Sequence, residues 1–575
     1  MLTRMTSRIA TIVFILFIVS STCLAQTSKG FVVGNVVDPS GAVIEGANVK
    51  ITNANSGITR ETVSAPDGSF RLDAVDPGTY KVEVGHAGFK TSLTDNVVVG
   101  ASQTISLSFQ LELGTQTEVV NVIAGTDVIL QTQDGARVNT LSKREITDLP
   151  TPALNPANIV FTLPGVVDPG PLAGGFVQGN EFSVNGLRPR ANNQLIDGLD
   201  NNDNSIAGQS YIPILREGYS EVTVLQSDYS SEFGRAGGAV VNIVSRSGTN
   251  AFHGSGYDVI NNSRFNSLTA SQRADGTRKP VAVENTFGFS LGGPIRKDKL
   301  FFFGTYQADR YRASTDTTLR VPTIAGFNTL RTLFPAGDNA NLDRYLGIVG
   351  NLRGQREISN VALGDGRPDV EFGETTVSSS QPVNDHQFLS RVDWTPTQKD
   401  SFAFRYVFDD QVFNNQFPGA SFPGFEVDVP SRTQNFFFNY TRSLSTRLTN
   451  EARFGFGRLS AQFAARDPEV SANGPVFSFT GAGLGQGITS VGLPSGFPQG
   501  RLFNNYQIQD TLSYTVGNHT FRFGGDVNIQ RSRQEIPFNS RGILTFAGGG
   551  GFNAFGNFVD QFSGRGGASA TIQFG

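Results

Sequence analysis

The sequence predicts a mostly β protein whose C-terminal part is an antiparallel transmembrane β-barrel. Three observations carry this prediction. Charged residues make up 17% of the 575-residue chain, while Gly (66) and Phe (47) are abundant; a soluble globular chain carries about 25% charge. The chain opens with an export signal, and no later segment has the ~20 consecutive apolar residues of a spanning helix, so any membrane crossing must be made by strands. Aromatic residues alternate with charged ones at period two in residues 251–575, which hold 37 of the 47 Phe. The net charge of −4 argues against a nucleic-acid partner, which selects for basic excess.

Arg4 and Arg8 precede the apolar run Ile9 to Val19, which at about eleven residues is too short to span a bilayer. The small-residue stretch Ser20 to Ala25 follows. We therefore expect a secretory signal over 1–25, cleaved after Ala25. An uncleaved anchor is the competing reading. Cys23, the lone cysteine, would leave with the signal. That excludes disulfide frameworks, thiolate zinc sites and a Cys nucleophile in the mature chain.

Residues 26–113 carry short β-prone runs separated by turn chemistry. Asp38-Pro39-Ser40-Gly41, Pro66-Asp67-Gly68 and Asp76-Pro77-Gly78 each close one run and open the next. Runs of this length bounded by Gly, Pro and Asp predict a β-sandwich. The residues Gly34, Val36, Asp38, Gly41, Ile44, Gly46, Ala47 and Val49 resemble the carboxypeptidase regulatory-like family. So do Asp67-Gly68-x-Phe70 and Pro77-Gly78-x-Tyr80-x-Val82. The resemblance implies a seven-stranded, transthyretin-like sandwich of the carbohydrate-binding-like type. It does not imply a peptidase. A zinc carboxypeptidase needs Glu three residues after a His, and none of His86, His253, His386 and His519 has one.

Residues 114–250 mix short strands with one short helix, Lys143 to Leu149, stopped by Pro150. The stretch Phe233 to Asn250, with Phe182 to Arg188 and Gln194 to Gly198 before it, resembles the plug of TonB-dependent outer-membrane receptors. Within that family the resemblance is to the Oar-like group, which carries a regulatory-like sandwich in front. It implies a small α/β plug inside a barrel of about 22 strands. It also implies energy drawn from the TonB–ExbB–ExbD system, with no cofactor and no enzymatic activity. The family's usual Asn-Gly-Arg near the plug start is not evident here, so no role is carried over to Leu154 to Asn158. Glu118, Val119, Val120 and Val122 resemble a TonB box, which works by strand addition to its periplasmic partner; an ordinary linker strand is the alternative. Arg188, Asp197, Asp200 and Asp203 are candidate ligand contacts on an apical plug loop. With Asn201, Asn202 and Asn204 the aspartates are rich in oxygen, but they lack the spacing of a calcium loop. A solvated loop is expected.

In residues 251–575, Phe402, Phe404, Tyr406 and Phe408 alternate with Ala403, Arg405, Val407 and Asp409. The runs around Phe388, Phe436, Phe454, Leu512 and Phe521 alternate in the same way. Period two puts one set on each face of a sheet. In a soluble sandwich the aromatic set would face the core and the charged set water; in a membrane barrel the aromatic set faces lipid and the charged set the lumen, and periodicity alone does not separate the two. Short turns near 396–400, 443–447 and 517–519 alternate with long polar connections near 311–384, 409–432 and 457–504, which is the outer-membrane pattern of short periplasmic and long extracellular links. We count roughly ten to twelve strands, about half of a 22-stranded barrel, and so expect an incomplete barrel.

Gly288-Phe289-Ser290-Leu291-Gly292 matches the nucleophile-elbow pattern G-x-S-x-G, but it continues a strand and no helix follows it. No phosphate-binding loop is present. The expected function is outer-membrane uptake of a bulky ligand, whether siderophore, oligosaccharide or peptide. A surface adhesion or structural protein without transport is the rival.

Overall fold

The structure is a computed structural model. It describes residues 28–573 except 116–118, 124–134, 150–155, 169–180, 205–209, 212–214, 269, 271–272, 274–278, 280, 418–421, 470–473, 481–486, 517–518, 537–538, 540, 550 and 561–568. The expected leader and Glu118 lie outside the described residues.

Seven strands form the N-terminal sandwich: β1 (Gly30–Val37), β2 (Asn48–Asn53), β3 (Thr59–Val63), β4 (Ser69–Val75), β5 (Gly78–Gly85), β6 (Thr91–Val99) and β7 (Thr104–Gln110). One sheet runs β4-β1-β7. The other runs β3-β2-β5-β6 and takes β8 (Val119–Ile123) on its edge. Alternate residues of each strand point inward. Val32, Val36, Val49, Ile51, Phe70, Leu72, Val82 and Val84 meet in one core. Gly68 sits at φ +76°, which an L side chain resists, and it turns the chain between β3 and β4.

The plug is a five-stranded sheet, ordered β13-β12-β15-β14-β9. Its strands are β9 (Arg137–Ser142), β12 (Asn193–Ile196), β13 (Leu199–Asp200), β14 (Tyr219–Gln226) and β15 (Ala239–Ser245). A two-stranded ribbon, β10 (Val166–Val167) with β11 (Ser183–Val184), lies apart. Helix α1 (Lys143–Asp148) starts where the sequence provides a capping box: Ser142 Oγ accepts from Glu145 N, and the Glu145 side chain accepts from Ser142 N. Such a cap contributes about 1 kcal/mol. All seven residues of β15 are buried. A strand covered on both faces cannot alternate, and its sequence is near-continuously apolar.

The barrel wall is one antiparallel sheet. In chain order and spatial order it contains β16 (His253–Asn262), β17 (Ala282–Arg296), β18 (Leu300–Pro322), β20 (Val370–Trp394), β21 (Asp400–Phe413), β22 (Val427–Ser445), β23 (Leu448–Ala465), β25 (Gln499–Val516) and β26 (His519–Glu535). The short β19 (Arg356–Val361) adds to β20. The sheet is not closed, and β16 and β26 are its edges.

The faces divide as the period-two pattern requires. Phe388, Phe404 and Trp394 are exposed on the outside, whereas Arg405, Asp409, Asn435 and Asn439 are buried on the inside. Trp394, Phe402 and Tyr440 lie side by side across three strands, with ring centroids 5.1 and 4.6 Å apart. They form an aromatic girdle at the end where the short turns lie.

The long connections are shorter than the sequence suggested. Residues 311–384 were expected to be one polar connection. Instead β18 continues to Pro322 and β20 begins at Val370. At ~3.3 Å per residue the two strands run roughly 40 Å past Arg310. Their polar, β-branched residues are strand residues standing in water rather than lipid, so low hydropathy there marks solvent and not a loop. Above the strands, α2 (Ile324–Leu333), α3 (Ala340–Val349) and α4 (Ala554–Val559) pack with the small sheet β24 (Val476–Thr480), β27 (Ile543–Ala547) and β28 (Ser569–Gln573). Tyr345, Phe477, Phe479, Phe546, Phe555 and Phe558 fill the core of this lobe, with the Tyr345–Phe555 and Phe546–Phe558 centroids 5.3 and 5.2 Å apart.

Tyr345 is fully buried, and its hydroxyl meets no hydrogen-bond partner. Burial pushes its phenol well above the usual range. Tyr345→Phe removes an unsatisfied polar group and keeps the ring. It should raise the thermal stability of the lobe by about 1 kcal/mol, read by a thermal melt of purified protein. A fall in stability would show that the hydroxyl is satisfied.

Candidate functional site

The sandwich lies at the short-turn end of the wall. Asn250 N donates to Asn55 O (2.9 Å), Gln398 Nε2 to Thr59 Oγ1 (3.3 Å) and Arg60 Nη2 to Ser443 Oγ (3.1 Å). The Arg522 guanidinium stands 3.9 Å from the Phe31 ring centroid. The sandwich also grips the plug: Gln103 Nε2 donates to Thr140 Oγ1 (2.7 Å), and Ala101 N donates to Glu221 Oε1 (2.7 Å). Burial pushes the Glu221 carboxyl above its usual range, against the hydrogen bonds from Ala101 and Thr223.

Residues 197–204 of the plug make a run of polar contacts with the wall. Asp197 and Gly198 sit at φ +50° and +79° between paired β12 and β13, a two-residue hairpin turn of the kind Asp-Gly favours. The turn aims the Asp197 carboxylate at the wall. It accepts from Ser245 N (2.8 Å) and Ser245 Oγ (2.7 Å), pairs with Arg391 at 3.6 Å, and makes a close ion pair with Arg405. The Arg405 guanidinium also bonds Asn435 and lies 5.2 Å from the Phe437 ring centroid. Arg391 is shared with Asp393 (2.8 Å) and Ser245 O (2.9 Å).

Further along the segment, Asp200 N donates to Gln507 Oε1 (2.8 Å), and Asp200 Oδ2 accepts from Asn528 Nδ2 (2.9 Å). Asp203 pairs with Arg501 at 3.0 Å. Arg391 and Arg405 lie near the short-turn ends of their strands, whereas Arg501 lies near the opposite end of β25. The segment therefore climbs the inner wall from the sandwich end toward the lobe.

The expectation of a solvated apical loop is corrected here. Asp197, Asp200 and Asp203 are 3%, 6% and 0% exposed. The aspartates and amides that read as loop chemistry meet wall arginines and amides instead, and a charge buried in such a seam needs a partner. Arg188 is exposed at the start of a short 3-10 turn and stands apart from this network. Arg391, Arg405, Arg501, Asn435 and Gln507 were not singled out from sequence as site residues. The signal was present: each sits on the strand face opposite the aromatic set, which in a barrel is the lumen.

Val119–Ile123 forms an extended strand, parallel to β6, with Thr91 opposite Val119 and Leu93 opposite Asn121. The TonB-box candidates Val119, Val120 and Val122 are thus held on the edge of the sandwich, in the stretch that leads into the plug. Ser290 lies in the middle of β17, with its hydroxyl 2.7 Å from Ser255 Oγ. No helix follows it, so it lacks the strand–turn–helix setting of a nucleophile elbow.

Comparison with known proteins agrees with this layout. The outer membrane β-barrel domain family matches residues 244–565, the TonB-dependent receptor plug domain matches 131–241, and the carboxypeptidase regulatory-like domain matches 32–112. The TonB-dependent transporter Oar of Myxococcus xanthus is 29% identical over 319 residues, which is 52% of this chain and 28% of that protein. Among solved structures, the outer membrane transporter YddB of Escherichia coli is 14% identical with a TM-score of 0.47, covering 76% of this chain and 52% of that one. The ferric enterobactin receptor PfeA of Pseudomonas aeruginosa is 12% identical with a TM-score of 0.41, covering 70% and 50%. The chain thus spans 28% of the length of the transporter it matches and about half that of these solved structures. The chain belongs to the outer membrane β-barrel domain family, carries a TonB-dependent receptor plug domain and a carboxypeptidase regulatory-like domain ahead of the barrel, and resides in the outer membrane.

Proposed function

We propose that this chain takes part in energised uptake of a solute too bulky to diffuse through an open pore. The solute binds on the lobe side, where the three long connections meet. The plug, seated on the wall by Asp197, Asp200 and Asp203, blocks the lumen at rest. A TonB-type partner in the periplasm captures the segment 118–122 by strand addition and pulls the plug's N-terminal side. The observation that carries this reading is the position of Val119–Ile123: an extended strand on the edge of the sandwich, directly upstream of the plug. A siderophore, an oligosaccharide and a peptide all fit a lumen lined with amides and charges.

The test is deletion of 118–122. Uptake should fall to background while ligand binding to intact cells is unchanged. If uptake persists, the box lies elsewhere. If binding and uptake are both lost, the deletion has disturbed assembly, and a Val120→Pro variant then decides, because proline removes a donor that strand pairing uses. A surface adhesin, by contrast, would show no uptake that responds to collapse of the proton gradient.

A further inference from the structure

The inner wall holds a second polar group, apart from the contacts of residues 197–204. Asp385 and Gln387 on β20 face Gln411 and Asp409 on β21: Asp385 is opposite Gln411, and Gln387 is opposite Asp409. Residues two apart on a strand share a face, so these four side chains form a square with carboxylates on one diagonal and amides on the other. All four are buried, with exposures of 0%, 4%, 3% and 2% for Asp385, Gln387, Gln411 and Asp409. The register places the two carboxylates on the diagonal of this square, on one face of neighbouring strands. The pairing continues outward, with Asp309 of β18 opposite Asp385 and Ser431 of β22 opposite Gln411.

Three donors around this group are spent on its carboxylates, while several oxygens have no donor. Gln387 Nε2 donates to Asp385 Oδ2 (2.7 Å), Gln307 Nε2 to Asp309 Oδ2 (3.2 Å) and Thr433 Oγ1 to Asp409 Oδ2 (3.4 Å). Gln387 Oε1, Gln411 Oε1, Asp409 Oδ1 and Ser431 Oγ are buried with no hydrogen-bond partner. Arg310 and Arg432, the guanidinium groups beside this stretch in sequence, are engaged on the outer face. Arg310 bonds backbone oxygens and His386, and Arg432 pairs with Asp410 at 2.9 Å. Two carboxylates this close cannot both remain anionic unless a positive charge lies between them. Unsatisfied oxygens concentrated at one place call for a ligand that accepts their lone pairs.

We propose that this square binds a hard divalent cation of calcium's size. Its oxygens are two carboxylates on one diagonal, two amide carbonyls on the other and the Ser431 hydroxyl at one side. Among the described residues, no three His, Cys, Asp or Glu side chains come together as a metal group. The absence of nitrogen and sulfur donors disfavours zinc and other soft-ligand metals. Magnesium demands a tight octahedron at about 2.0–2.1 Å and keeps its waters. Calcium accepts six to eight oxygens at about 2.3–2.6 Å in irregular arrangements, which suits ligands fixed about 4.8 Å apart on neighbouring strands. Such a cation would tie β20 to β21 on the lumen side, beside Gln307, whose Oε1 accepts from Arg216 N of the plug (3.3 Å).

The test uses the full chain in detergent, stripped with a chelator and titrated with calcium by calorimetry. Terbium luminescence serves as a second readout. The wild-type chain should bind one calcium with a Kd on the order of 10⁻⁴–10⁻³ M, as extracellular modules do. Asp385→Asn and Asp409→Asn, which preserve volume, should each abolish that binding. Glu45→Gln, on the exposed sandwich surface, should leave it unchanged. Absence of calcium binding in the wild type overturns the proposal, as does equal binding in the two Asn variants. A melting temperature that responds to pH but not to calcium shows that a shared proton occupies the diagonal, and this too overturns it. If an Asn variant fails to assemble, Gln411→Leu, which removes one amide oxygen and keeps both carboxylates, should weaken binding by about tenfold; unchanged binding then counts against the site.

Discussion

Replacing Asp197 by alanine should unseat the plug from the barrel wall. The Arg405 side chain has no exposure and takes its charge partner from Asp197. Arg391 retains Asp393, but Arg405 is left with Asn435 and the face of Phe437. Leaving one buried charge unpaired costs about 3–5 kcal/mol. Two links between the β12–β13 turn and β15 go with it, one from the Ser245 backbone and one from its hydroxyl, because Ser245 N and Ser245 Oγ both donate to the same carboxylate. Hydrogen exchange on the intact protein should show residues 193–200 and 239–245 opening far more often, while the sandwich amides of 48–53 and 80–84 keep their protection. Asp197→Asn keeps the hydrogen bonds from Ser245 but loses the charge, and its effect should fall between wild type and alanine. If exchange in 193–200 is unchanged in the alanine variant, Asp197 is not what seats the plug.

Phe558→Ala should uncouple the lobe from itself. Its ring contacts Tyr345, Phe477, Phe479, Phe546 and Phe555, with centroids 5.2–5.9 Å away. Those residues come from three connections far apart in sequence. Truncating a buried Phe to Ala costs about 3–5 kcal/mol, from lost burial plus the cavity left behind. The wall does not depend on this ring. Limited proteolysis should therefore cut within 323–369 and 466–498 much faster in the variant, with the strands themselves still resistant. Equal cutting rates in variant and wild type would mean the loops are held by something other than the aromatic core.

On the uptake function proposed above, the two variants should act in different ways. A loosened plug leaks or opens without energy, whereas a loosened lobe weakens capture of the solute. Measuring uptake and surface binding side by side separates the two.

Several features were legible in the sequence for a definite reason. A strand exposes its faces at period two whatever its surroundings, so Phe402, Phe404 and Phe408 against Arg405 and Asp409 already sorted the two faces of the wall, and the alternation of short turns with long connections pointed to a barrel. Turn chemistry is equally local: Asp197-Gly198 and Asp67-Gly68 carry their own positive-φ preference, and Ser142 with Glu145 writes a helix start. The edges of the long connections were not legible. The stretch from Asp316 to Thr318 and the run of serines at 378–380 are polar, and a hydropathy pattern treats a strand in water as it treats a loop.

The sequence by itself determined the three-part order, the alternation of the wall strands and the end at which the short turns lie. These are properties of neighbouring residues, and neighbours are what a sequence records. Tertiary structure alone decided the partners. Asp197 meets Arg405 across 208 positions and Asp200 meets Asn528 across 328. Val119–Ile123 pairs with β6, and Asp385 comes to lie diagonally across from Asp409. Such pairings depend on strand register and on how the plug is turned inside the wall. Both are set by the summed packing of the whole molecule, because a buried charge is tolerated only where the completed fold supplies its counter-charge.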